Sequence, residues 1–385
     1  MTLPLEGVRV VDLTQVMAGP FCTLLLADLG ADVVKVEPPD GGDLSRSMGG
    51  AELHLKGDDN APFLALNRNK RSVALDLKDP AQLRSFLALA RTADVVVENF
   101  RPGVAARLGV GYDALSADNP GLVYVSISGF GQTGPYADRP GFDLIAQAMS
   151  GILSVTGVPG GEPVKCGVPI SDLAAGLYGA LGTLAALRAR DGTGRGQHVE
   201  TSLFEAALGL SVWETTEYWA TGRAPHAHGS AHRLNAPYQA LRTADGRVVL
   251  AALTAAQWTR LCEALERPAL ASDPRFADNG ARMANLPELV EALEDALSAR
   301  GTDAWVERLL DAGVPAAPLH DYAQVFADPH TRARRMVEEV EHPVEGTIKT
   351  LGFPLKMGAT PLRVRRPPPL LGEHNAEILG ELEEA

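Results

Sequence analysis

Short, continuous apolar runs recur through the first third of the chain, separated by segments of mixed polarity. Val8–Leu13, Ala31–Val36, Ser72–Leu77, Asp94–Glu98 and Leu122–Ser128 are rich in β-branched residues and lack strict period-two alternation. That pattern predicts strands buried on both faces. Between the first two, Gly19-Pro20 opens a helix that runs to Leu29, and Gly30 ends it. Asp79-Pro80 opens another that runs to Arg91. Strands alternating with helices predict an α/β fold around a parallel sheet. Helices then follow at Asp143–Gly151, Asp172–Arg190 and Leu203–Tyr218. Thr221–Asn235 is polar and turn-rich and marks a domain boundary. Beyond it come a hairpin over Tyr238–Leu253, turning at Asp245-Gly246, and several helices, one of them periodic after Pro287. From about Val337 the pattern is strand, turn and proline-rich coil, including Pro367-Pro368-Pro369.

The length of 385 residues suits two or three domains with ample core. With 35 basic against 48 acidic residues, the net charge is −13. A nucleic-acid partner, which needs a cationic footprint, is therefore not expected. A polyanionic ligand would need a local basic pocket. The uncharged apolar run Leu173–Leu187, bracketed by Asp172 and Arg188, is shorter than the ~18–20 residues a membrane span needs. The start of the chain has neither a basic region nor an apolar core of the kind an export signal carries. Cys22, Cys166 and Cys262 are odd in number and widely spaced, which fits a reducing cytoplasm and no disulfide or zinc framework.

Candidate chemistry sits in four places. Gly129-Phe130-Gly131-Gln132-Thr133-Gly134 matches the dinucleotide pattern G-x-G-x-x-G, but Pro135 and Pro140 follow at once. They prevent the helix on which that fingerprint depends, so the segment reads as a rigid loop beside a ligand. Asp172 opens a helix made largely of small residues. It is either an N-cap, a role Ser171 could also fill, or a partly desolvated nucleophile. Lys78, Asn99, Arg101 and Arg107 lie at or just beyond predicted strand ends, where open parallel sheets bind ligands. Finally, His226, His228 and His232 have ligand-like spacing, but no Cys or Asp completes a metal set. No G-x-S-x-G nucleophile elbow occurs.

Taken together, GVRVVDLTQVMAGPFCTLLLADLGADVVKVEPPDGGD, LNRNKRSVALDLK, VENFRPGVAARLG, SISGFGQTGPYADRPGFD, GVPISDLAAGLYGA, NAPYQALRTADG, DPRFADN and RPPPLLGEH resemble, in that order, the class III CoA-transferases. This family includes formyl-CoA and carnitine CoA-transferases and the α-methylacyl-CoA racemases. The resemblance implies a Rossmann-like large domain, residues 1–222 plus 337–385, and a smaller α+β domain, residues 223–336, in an intertwined homodimer. It makes Asp172 the nucleophile, passing through an aspartyl anhydride and an aspartyl-CoA thioester. It places CoA contacts at Gln15, Met17, Ala18, Leu75, Lys78, Asn99, Phe100, Arg101, Arg107, Arg139, Gly141 and Asp143. Coenzyme A and acyl-CoA are then substrates, with a small carboxylic acid as co-substrate; no metal or permanently bound cofactor is implied. Formyl-CoA transferase carries Gln where this chain has Met17, which disfavours formate and oxalate. A dicarboxylic acid is expected instead, with succinyl-CoA as donor and the basic residues Arg46, Arg68, Lys70 and Arg71 meeting its second carboxylate. Racemisation of a 2-methylacyl-CoA, or silent CoA binding, are the alternatives.

Overall fold

The computed structural model describes residues 2–383. The chain divides into two compact units, Met1–Leu153 with Lys165–Ala224 and His330–Ala385, and Ser154–Val164 with Pro225–Pro329.

The first unit is built on six parallel strands: β1 (Arg9–Asp12), β2 (Asp32–Glu37), β3 (Lys70–Ala74), β4 (Val95–Glu98), β5 (Val123–Ser128) and β6 (His198–Ser202). Their order is β3-β2-β1-β4-β5-β6. Five of the six overlap the apolar runs read from the sequence, although β3, expected at Ser72–Leu77, begins two residues earlier and ends three earlier, and every residue of β4 and β5 is buried. The sixth escaped because it is an edge strand, HVETS, exposed on alternate residues rather than continuously apolar. Successive residues point to opposite faces. On one face Val10, Val33, Val97, Val125 and Ile127 pack with Cys22 and Leu26 of the Ala18–Asp28 helix and with Ala174, Ala175 and Ala180 of the Ile170–Thr193 helix. On the other face Val11, Val34, Val96 and Tyr124 pack with Phe86 and Leu89 of the Pro80–Arg91 helix and with Ile378.

The glycines of the Ile170–Thr193 helix let it lie against its neighbours. A Cβ on Gly176 would come within 2.7 Å of the Ala18 carbonyl oxygen, and one on Gly179 within 2.9 Å of Ile127. This helix runs 24 residues, extending beyond Leu173–Leu187 at both ends, and by length and composition it is long enough to cross a membrane. The expectation of a shorter segment is corrected. Half of its apolar window is buried, and it serves as a core helix. The segment expected as one helix, Leu203–Tyr218, is two, Leu203–Leu210 and Val212–Thr221, broken at Ser211.

Two further strands, Val337–His342 and Gly346–Leu351, pair antiparallel. The proline-rich tail, expected as coil, ends in a helix, Asn375–Glu383. It closes the free edge of β3. The Ser72 N–H donates to His374 Nδ1 (3.2 Å), the Ala74 N–H to Asn375 Oδ1 (2.8 Å), and the His374 N–H to the Ser72 carbonyl (3.0 Å). Arg71 binds Glu377 and Glu381 at 3.0 and 2.6 Å.

The second unit holds a three-stranded antiparallel sheet, Tyr238–Arg242, Arg247–Ala251 and Ala316–Pro318. The first two strands form the hairpin expected at Asp245-Gly246. Helices enclose a separate core that includes Trp258, Leu261, Phe276, Leu293, Trp305 and Leu309.

Candidate active site

The strand order reverses between β1 and β4, so both neighbouring crossovers lead away and leave a crevice at the carboxyl ends of these strands. Two candidate residues far apart in sequence meet there. The Gln15 N–H donates to Asn99 Oδ1 (2.9 Å), and Asn99 Nδ2 donates to the Gln15 carbonyl (2.8 Å). Met17 and Ala18 follow at the start of the Ala18–Asp28 helix, where Met17 supplies no side-chain cap. The tight crossing at Gly176 sets the first turn of the Ile170–Thr193 helix beside that start, and Asp172 lies one turn before the crossing.

Asp172 is the third residue of its helix. The cap position belongs to Pro169, and no side chain caps the helix, so the capping role is excluded for Asp172 and for Ser171. Burial, and then the charge of Asp143, raises the Asp172 carboxyl from 3.8 to about 7. Asp143 is itself fixed: Oδ1 accepts from the Ser171 N–H (2.9 Å) and Oδ2 from Gln147 Nε2 (2.7 Å). Gln147 in turn accepts from the Cys166 N–H at 2.9 Å. The Ser171 hydroxyl is fully buried and has no hydrogen-bond partner among the described residues. As Pro135 and Pro140 predict, no helix opens on Gly134; the next begins at Asp143. The loop folds back so tightly that a Cβ on Gly129 would sit 2.7 Å from Gly141 Cα, which carries the chain from the end of β5 to Asp143.

The remaining candidates differ in what they offer. Lys78, Arg101 and Arg107 are exposed and make no ion pair among the described residues. Arg139 lies over the Tyr136 ring, 3.8 Å from its centroid. Phe100 is half-buried, while Leu75 packs its side chain into the core, leaving only its backbone for a ligand. The cations expected to meet a second carboxylate are corrected. Arg46 is buried against Glu37 (2.8 Å) and Asp59 (2.7 Å), Arg68 against Asp28 (2.6 Å), Lys70 against Asp12 (3.1 Å), and Arg71 against Asp32 (2.6 Å). Leaving the partnering acids of Arg46 or Lys70 unpaired inside the protein would cost several kcal/mol, about 3–5 for a buried pair.

Several polar residues inside the strands were not singled out from the sequence. Glu98 ends β4 and is 4% exposed, and burial raises its carboxyl to about 7. It accepts from the Phe100 N–H at 2.7 Å. It lines a cavity of about 360 Å³ with Arg101, Tyr112, Ser126, Gln132 and His198. The Ser126 hydroxyl bonds His198 Nε2 at 2.9 Å. Polar residues interrupting otherwise apolar strands were the available signal. The His226 and His228 rings in the second unit have centroids 4.4 Å apart and are tilted by 36°. Among the described residues, no group of three or more His, Cys, Asp or Glu could hold a metal ion.

Residues 5–375 match the family model described as CoA-transferase family III. The chain belongs to CoA-transferase family III. This enzyme is 42% identical to the succinate–glutarate CoA-transferase of Agrobacterium fabrum, over 99% of its own length and 96% of the relative's. It is 42% identical to the succinyl-CoA:mesaconate CoA-transferase of Haloarcula hispanica, over 98% and 96% of the two chains. A solved CAIB/BAIF family protein from Brucella suis superposes with a TM-score of 0.90 at 39% identity, covering 99% of this CoA-transferase and all of that chain.

Proposed function

We propose that this CoA-transferase moves CoA from succinyl-CoA to a second small dicarboxylic acid, with Asp172 as the nucleophile. The observation that carries the reading is the Asp172 carboxyl itself. It caps nothing, it is poorly solvated, and it faces the charge of Asp143. An anion held in this way gains by becoming a neutral acyl derivative, which is what covalent catalysis asks of it. The carboxylate attacks the thioester carbonyl, giving an aspartyl–succinyl anhydride and CoA thiolate. The thiolate attacks the aspartyl carbonyl, releasing succinate and leaving an aspartyl-CoA thioester. The acceptor carboxylate displaces the thiolate to form a second anhydride. Attack of the thiolate on the acceptor acyl carbonyl then yields the new thioester and restores Asp172.

CoA takes the crevice bounded by Gln15–Ala18 and Asn99–Arg101, with the unpaired Lys78, Arg101 and Arg107 meeting its phosphates. The relatives' substrates support a dicarboxylate. The first unit also leaves Leu177, Leu181, Val212 and Trp219 at 54–77% exposure. Apolar surface of this kind supports the homodimer, because monomers seldom leave large side chains of this type in water together. Succinyl-CoA supplied with glutarate, mesaconate, malate, butyrate or benzoate tests the substrate, and hydroxylamine added during turnover tests the nucleophile. Preference for the monocarboxylates overturns the first reading, and protein-bound hydroxamate on a side chain other than Asp172 overturns the second. A stable monomer in sedimentation overturns the dimer.

A further inference from the structure

Between β1 and the Ala18–Asp28 helix, Val16 holds φ at +70°. A β-branched residue is a genuine outlier in that left-handed region, and its backbone there is strained. Such strain persists only where surrounding groups over-determine it. Here they can be named. The Val16 N–H donates to Asp43 Oδ1 (3.0 Å). Asp43 Oδ2 lies 2.8 Å from Lys35 Nζ, and both side chains are fully enclosed. The same ammonium donates to the Thr14 carbonyl at 2.7 Å. One buried ion pair thus grips the backbone on both sides of Gln15, while Asn99 holds Gln15 itself. Burial pushes the Asp43 carboxyl up, but Lys35 and the Ser45 and Val16 N–H groups outweigh it and leave it lowered to about 2. The pair is therefore charged throughout the working range.

Stability alone is a weak reason for such a pair, since an apolar replacement of similar volume is often as stable or more so. What it does here is aim its hydrogen bonds at one strained turn. That turn leads directly into Met17 and Ala18, beside the crossing that sets Asp172.

We propose that Lys35 and Asp43 are positioning residues for CoA transfer: their enclosed ion pair holds the turn Thr14–Met17, left-handed at Val16, that presents the uncapped start of the Ala18–Asp28 helix to the reacting thioester. This rests on placing CoA at Gln15–Ala18. The pair touches no substrate and acts through the backbone it fixes.

The test is a rescue. Asp43→Asn keeps the shape and an acceptor for Val16 but removes the charge that draws in Lys35. Its kcat should fall about 10–100-fold, because a misplacement near 1 Å costs that much, with a smaller change in KM. Glycine takes φ near +70° without strain, so adding Val16→Gly to Asp43→Asn should return most of the lost kcat. Ser45→Ala serves as the control. It removes another hydrogen bond of Asp43 (2.8 Å) without touching the turn and should leave kcat unchanged. Unchanged kcat in Asp43→Asn overturns the proposal, as does failure of Val16→Gly to restore it, or an equal loss in Ser45→Ala. If Asp43→Asn alone does not fold, the double variant decides: a folded, active enzyme supports the proposal and an inactive one overturns it. Asp172→Ala measured alongside separates the two readings. Activity there removes the nucleophile and leaves the rescue result standing.

Discussion

Replacing Asp172 by Asn should abolish transfer and at the same time make the folded enzyme more stable in alkaline solution. The carboxyl is pushed up to about 7 in the folded chain, against the ordinary aspartate value of 3.8. Between those values the folded state holds a proton that the unfolded chain has lost, so stability falls as pH rises through this window and the full cost is present above it. Three units correspond to about 4 kcal/mol, an upper figure because the carboxyl is not fully enclosed. Asn has the same shape and no charge to bury. Its advantage over the wild type should therefore grow by about 2 kcal/mol between about pH 5 and about pH 8.5. Urea unfolding across that range measures the difference, and a coupled assay of succinyl-CoA consumption measures activity. A stability difference that does not change with pH would refute the claim that the site holds this carboxylate at a cost. Transfer by the Asn variant would refute its role.

Three shorter expectations rest on the same geometry. Asp143→Asn removes the like charge beside Asp172, so the nucleophile ionises more easily and the acidic limb of kcat/KM should move to lower pH; a limb that stays in place breaks the link between the two carboxylates. Glu98→Gln keeps an acceptor for the Phe100 N–H but removes a carboxyl raised to about 7, and should stabilise the fold by about 3 kcal/mol above neutrality and little in acid; equal effects at both ends would contradict it. Arg107→Ala should weaken CoA binding more than tenfold, about 1.4 kcal/mol, and flatten its dependence on salt; calorimetry showing neither removes Arg107 from the site.

The buried strands were legible because a parallel sheet covered on both faces demands continuous apolar runs, and five of them stand out. β6 was not, since HVETS is half-exposed and reads as polar loop. Asp172 could be seen as unusual but not resolved from a cap, because the roles differ only by where the helix starts, and its cap falls three residues earlier, at Pro169. The basic cluster misled for a different reason. Sequence shows Arg46 and the neighbouring Arg68, Lys70 and Arg71 as free charges, while their partners Glu37, Asp59, Asp28, Asp12 and Asp32 come from other strands, a helix and a loop. Charge proximity in sequence says nothing of which charges folding has already neutralised. Val16 lay in the same gap: a left-handed valine is a property of its surroundings, not of its name.

The closure of β3 by His374 and Asn375 has a consequence for how the chain reaches this state. The partners of Ser72 and Ala74 lie 302 and 301 residues further along. Until that distant segment docks, the outer strand of the sheet presents bare amide groups, the template on which other chains pair and aggregate. Contacts of such long separation also form slowly. A sheet formed before that segment docks would carry an unsealed edge, so conditions that delay docking, more than those that weaken the finished fold, should govern how much of the newly made protein is lost to aggregation.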